Sequence, residues 1–320
     1  MKLLKALSLG AILLLSGLAQ ASDERRPLSA HHVIAEGVPL AVWQKSPSVP
    51  ERVVLLIHGR TWSARPDFDL QVPGEKLSLM DALVAEGIAA YAVDLRGYGD
   101  TPRDASGWLT PSRATADVIK VLEWIVQRHP DLPRPHLFGW SYGSMVSQMV
   151  VQRQPGLVAG LIVFGYPVRP GIAINPENPG GEAPAVANTA AAAAADFVTP
   201  GSISQTAIDT FVTSALRHDP IRVDWRALPE WLVLDASKVS VPTLLMDAEH
   251  DPLTDDDVQL SFFRKLATND KAWVMIPGGD HAAFMESPRD YFVQVMAAFI
   301  NGERSQDEVV TADFLELELE

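Results

Sequence analysis

Two spacings of apolar residues alternate along most of this chain. Short continuous apolar runs predict strands buried on both faces, and longer stretches with apolar residues three and four apart predict helices. Residues 31–36 and 40–44 flank Gly37 and predict a hairpin. Residues 53–57 predict a buried strand, 80–86 a helix stopped by Gly87, and 88–93 a second buried strand. Val118, Val121, Leu122, Ile125 and Val126 predict a helix over 115–128 that Pro130 ends. A short strand over 135–138, a helix over 144–151 and a strand over 158–164 follow.

From Gly165 to about Val239 the rhythm breaks. Proline and glycine crowd 167–181, alanine fills 185–195, and residues 208–216 have helical spacing. This reads as a mostly helical lid inserted between two core strands, with a low-complexity linker as the other reading of the alanine run. The strand pattern resumes over 241–246 and 272–276, and helices are expected over 255–266 and 291–300. The fold class is therefore α/β, a mostly parallel twisted sheet with flanking helices. The expected divisions are 22–164 and 240–302 as the two parts of the core, 165–239 as the insertion and 303–320 as an acidic tail.

Composition narrows the setting. The chain has 320 residues, a formal charge of −14 and no cysteine. No basic stripe exists to meet phosphates, so nucleic acid is not an expected partner. Without cysteine there is neither thiolate catalysis nor a Cys-ligated metal site. Lys2 and Lys5, the apolar stretch from Ala6 to Leu18 and the small residues of Ala19-Gln20-Ala21 read as a cleavable export signal over 1–21. That stretch is shorter than the ~20 residues that span a bilayer, so a secreted or periplasmic protein without a membrane anchor is expected.

The chemistry centres on Gly139-Trp140-Ser141-Tyr142-Gly143. A serine on a sharp strand-to-helix turn has its hydroxyl exposed, and glycines two residues away avoid clashes across the turn. The following helix N-terminus offers free N–H groups to a developing oxyanion. Serine is a poor nucleophile without a base, and histidine is suited to that role near neutral pH. Of eight histidines, His281 follows an apolar strand and a Pro-Gly-Gly turn. For the acid that orients it, Asp251, Asp247 and Glu249 all lie shortly beyond a strand that ends near Met246. Asp280 adjoins His281, and neighbouring side chains point apart. Two backbone donors, Tyr142 N–H and Arg60 N–H, are the expected oxyanion hole. The Arg60 side chain either meets a substrate carboxylate or pairs with Asp67 or Asp69. Trp62 and Trp140 either line the substrate pocket or belong to the core.

The chain resembles the lid-bearing α/β-hydrolases over nearly all of 31–300. The matching residues are His58-Gly59-Arg60, Asp94-Leu95-Arg96-Gly97-Tyr98-Gly99, the elbow at Ser141, Asp251-Pro252 and Gly278-Gly279-Asp280-His281. The resemblance implies a Ser-His-Asp hydrolase with a small-molecule substrate and no metal or organic cofactor, and its loop of about four residues beyond the strand favours Asp251 as the acid over Asp247 and Glu249. A carboxylic ester is the first expected substrate. A proline-type aminopeptidase or amidase is the alternative, with insertion acids Asp209, Asp219, Asp224 and Glu230 available to bind an amine. Carbon–carbon bond hydrolysis and perhydrolysis use a similar constellation. Epoxide and haloalkane hydrolases of this fold carry aspartate at the elbow, where this chain has serine.

Overall fold

The computed structural model describes residues 27–167 and 181–302. The export signal expected over 1–21, the tail over 303–320 and part of the insertion lie outside the described residues.

Eight strands form one sheet: β1 (Ser29–Ala35), β2 (Val38–Lys45), β3 (Arg52–Ile57), β4 (Ile88–Val93), β6 (His136–Trp140), β7 (Gly160–Phe164), β9 (Thr243–Ala248) and β10 (Lys271–Ile276). A separate pair joins β5 (Trp108–Leu109) to β8 (Asp224–Trp225) in parallel. The large sheet runs β1-β2-β4-β3-β6-β7-β9-β10. β2 is antiparallel to both neighbours, and every later pairing is parallel. The helices are α1 (Ala64–Phe68), α2 (Leu79–Ala85), α3 (Pro111–Arg128), α4 (Tyr142–Arg153), α5 (Ala190–Ala194), α6 (Gln205–His218), α7 (Asp256–Lys265) and α8 (Arg289–Asn301).

Alternate residues of the central strands enter two separate cores. Val53, Leu55 and Ile57 of β3 pack with α3 and α4, whereas Val54 and Leu56 pack with α2 and α8. Both faces are covered, which is why these strands are apolar throughout. The hairpin turns through Glu36 and Gly37, whose φ values of 48° and 80° suit a tight turn between twisted strands.

α3 begins four residues before the spacing predicts. Thr110 caps it by accepting from Arg113 N, and Pro111 sits where no amide donor is needed. The insertion is only partly helical. Of the alanine run, five residues form α5, capped by Thr189. α6 extends the helix expected over 208–216 at both ends. The rest of its described residues include β8 and short 3-10 turns.

Candidate active site

Ser141 lies between the last residue of β6 and the first of α4, with φ 54° and ψ −120°. A non-glycine residue in this region is strained, and the strain persists because the surroundings fix it. Ser141 N donates to Phe164 O at 3.0 Å, tying the turn to β7. A Cβ at Gly139 would lie 2.6 Å from Ser144 N and closer still to Gly143 O. A Cβ at Gly143 would lie 2.7 Å from His58 O and closer still to Ile57 O. Both obstacles are backbone, which cannot rotate away. Gly143→Ala is therefore expected to destabilise the fold by about 3 kcal/mol or more, because it forces the elbow off the end of β3. Chemical denaturation checks this, and a wild-type midpoint would show that the contact is not tight.

Asp251 follows β9 and His281 follows β10. His281 Nδ1 and Asp251 Oδ2 are 2.8 Å apart, and Asp251 Oδ1 accepts from Leu253 N at 2.8 Å. The Asp251 side chain is fully buried and that of His281 nearly so. A ring proton on Nδ1, donated to Asp251, leaves Nε2 of His281 as the acceptor nitrogen. Two contacts bring this pair to the elbow. Trp140 Nε1 donates to His281 O at 2.7 Å, with the rings 5.3 Å apart. Gly165, next to the Phe164 carbonyl that holds Ser141, backs onto both partners. A Cβ there would lie 2.8 Å from His281 Cε1 and 3.2 Å from Asp251 Oδ2.

The rival acids lie elsewhere. Asp247 Oδ2 accepts from Trp273 Nε1 at 2.6 Å, and burial pushes its carboxyl up to about 7. Glu249 accepts from Gly278 N at the surface. Asp280 accepts from Ala282 N and Thr199 N and does not orient the imidazole.

The loop over 58–63 carries the second expected oxyanion donor. His58 is buried, its Nε2 accepting from Leu95 N at 3.0 Å while Nδ1 donates to Gly59 O. Burial lowers its pKa to about 4, so it stays neutral and structural. Tyr98 OH donates to Arg60 O. Tyr142 is the first residue of α4, so its amide has no partner within the helix. Asp94 accepts from Ala64 N, Trp43 Nε1 and Asp100 N, which fixes the exit from this loop. Arg96 takes no part in fixing it and instead turns away to pair with Asp117 of α3 at 2.6 Å.

Two insertion carboxylates hold the loop as well, a role that their sequence context does not signal. Asp219 accepts from Ser63 N and Gly99 N at 2.8 and 2.9 Å. Asp196 accepts from Trp62 Nε1. Thr199 N and Ser202 Oγ tie the same stretch to Asp280 and Glu286, on the loop that carries His281. Trp62 is 1% and Trp140 4% exposed. Trp62 packs edge-on to Phe211 of α6, and Trp140 packs between His281 and Phe284. Both tryptophans buttress the site from within the protein.

A family model described as Hydrolase_4: Serine aminopeptidase, S33 matches residues 48–288. No curated protein matches the sequence. Among solved structures, epoxide hydrolase I of potato (Solanum tuberosum) superimposes with a TM-score of 0.64 at 18% identity, covering 86% of this chain and 100% of that one. A serine hydrolase involved in carbazole degradation gives 0.60 at 18%, covering 86% and 99%. A thermophilic esterase from Thermogutta terrifontis gives 0.58 at 18%, covering 86% and 98%. At these identities the likenesses show a shared α/β-hydrolase fold.

Proposed function

The chain belongs to the serine aminopeptidase S33 family of α/β-hydrolases, and we propose that it cleaves a small carboxylic ester through an acyl-enzyme on Ser141. The observation that carries this reading is the His281–Asp251 pair at 2.8 Å, held against the strained Ser141 turn through Trp140 and Gly165. In this reading Ser141 Oγ bonds to the ester carbonyl carbon while His281 Nε2 takes its proton. The carbonyl oxygen becomes an oxyanion facing the amides of Arg60 and Tyr142. Collapse breaks the bond to the alkoxy oxygen, which leaves with the proton from His281. A water molecule then gives a proton to His281 and attacks the acyl carbon, and Ser141 recovers its proton as the acid departs. No metal or cofactor enters these steps.

The fates of the insertion acids favour ester over aminoacyl substrates. Asp219 is occupied by two backbone amides, Asp224 accepts from Ala185 N, and Glu230 accepts from Ser112 N. Asp209 lies on the exposed side of α6, bonded to Gln205. Three of these four are thus engaged by backbone amides of the fold. Serine at position 141 favours an acyl-enzyme over the aspartate chemistry of epoxide hydrolysis. The basic and apolar opening segment supports work outside the cytoplasm.

A panel of short acyl esters, proline arylamides and a vinylogous diketone, offered to the purified protein, tests this directly. Ester turnover at least about 100-fold above the other classes is expected. Dominant arylamide or diketone cleavage would replace the ester reading.

A further inference from the structure

Arg60 carries a guanidinium with no counter-ion among the described residues, and it packs on the residue that follows the proposed nucleophile. Its Cζ lies 5.1 Å from the centre of the Tyr142 ring, the residue that follows Ser141. Its Nε is buried and meets no acceptor among the described residues. The acids nearest in sequence do not neutralise it. Asp69 is engaged by Lys45, Ser78 and Gln71. Asp67 is fully buried and makes no ion pair among the described residues, and burial beside Asp196 and Asp219 raises its carboxyl well above the usual range, which favours the uncharged form.

The insertion supplies the surroundings of this cation. Tyr142 stands edge-on to Trp225 and Trp231 of the insertion, at 5.5 and 5.9 Å. Trp225 Nε1 donates to Tyr98 OH at 2.8 Å, and Tyr98 OH donates to the Arg60 carbonyl. Arg60 is thus held by its backbone on one side and by aromatic stacking on the other. Arg222 of the insertion is exposed and adds a second positive charge acting on the same Tyr98, where both arginines oppose the negative charge of Asp219. A buried guanidinium N–H without an acceptor is costly unless a ligand supplies one. In a chain of charge −14, a cation stacked on the residue after Ser141, with no counter-ion among the described residues, suits an anion.

We infer that Arg60 binds a substrate carboxylate, so that the preferred substrate is an ester carrying a carboxylate within a few bonds of the scissile carbonyl. This rests on Ser141 being the nucleophile of an ester hydrolase, and it adds the substrate's charge. A planar guanidinium fork suits a carboxylate, and stacking on Tyr142 presets its orientation.

Two isosteric ester pairs provide the test, one varying the acyl side and one the alcohol side: monomethyl glutarate against methyl glutaramate, and 4-acetoxybenzoate against 4-acetoxybenzamide. Wild type should prefer the acid member of at least one pair by about tenfold or more in kcat/KM, the scale of a charge-assisted hydrogen bond. Added salt should shrink that preference. In Arg60→Gln the acid-to-amide ratio should fall to about one, mainly through KM, and Arg60→Lys should retain part of it. Because the ratio is taken within each variant, any disturbance of the oxyanion loop common to both esters cancels. A wild-type ratio at or below one in both pairs, or an unchanged ratio in Arg60→Gln, overturns the inference while leaving the ester reading intact. If neither pair nor phenyl acetate is cleaved and Ser141 takes up no acyl-like label, the ester reading and this inference fail together.

Discussion

Replacing His281 by alanine is expected to lower turnover of the best ester by about 10⁴- to 10⁶-fold, the range seen when one member of a Ser-His-Asp set is removed. The loss follows from geometry. His281 has Asp251 2.8 Å from Nδ1, which leaves Nε2 for the role of base proposed for it, and Trp140 holds its backbone to the elbow. No other histidine among the described residues is placed to substitute. His58 is buried in its own loop, and the exposed His250 is tied to Gly279 through its backbone. Because the groups act as one unit, the Ser141→Ala, His281→Ala double variant should be barely slower than either single change. Steady-state kinetics with melting curves checks this. A single variant within about 100-fold of wild type, or strictly additive losses, would remove His281 from the role of base.

The second large effect separates two neighbouring acids. Asp251→Asn is expected to cost about 10⁴-fold, because an amide turned to His281 favours the wrong tautomer. Asp247→Asn should leave turnover within about threefold, since its carboxylate faces Trp273. The two also differ in stability. Burial raises the folded carboxyl of Asp247 from its ordinary 3.8 to about 7. Between those values the folded state retains a proton that the unfolded chain releases, so this group's contribution to stability falls as pH rises through that window. Asp247→Asn cannot ionise, so its melting temperature relative to wild type should be more favourable at pH 8 than at pH 4. Reversed kinetic effects would make Asp247 the orienting acid.

Much of this arrangement was legible in the sequence because the central strands are buried on both faces. Residues 88–93 carry no charge between Gly87 and Asp94, and the strand predicted there coincides with β4. The elbow was legible because backbone crowding at 139 and 143 admits only glycine. The start of α3 was signalled by Thr110-Pro111, yet the apolar period begins only at Val118, and the period set the boundary. The β5–β8 pair joins two dipeptides more than a hundred positions apart, and segments so short carry no periodicity. Asp196 and Asp219 were illegible as loop clamps for a similar reason. A buried carboxylate that accepts backbone N–H groups is indistinguishable in sequence from a solvated one. The path of Arg96 toward Asp117 depended on how α3 packs near β1, a long-range fact absent from any local pattern.

The most direct measurement is reaction of the purified chain with a fluorophosphonate, followed by intact mass and peptide mapping. One stoichiometric adduct is expected, on Ser141, absent in Ser141→Ala and formed orders of magnitude more slowly in His281→Ala. Failure of the folded wild type to react, or an adduct on any other residue, would contradict Ser141 as the nucleophile.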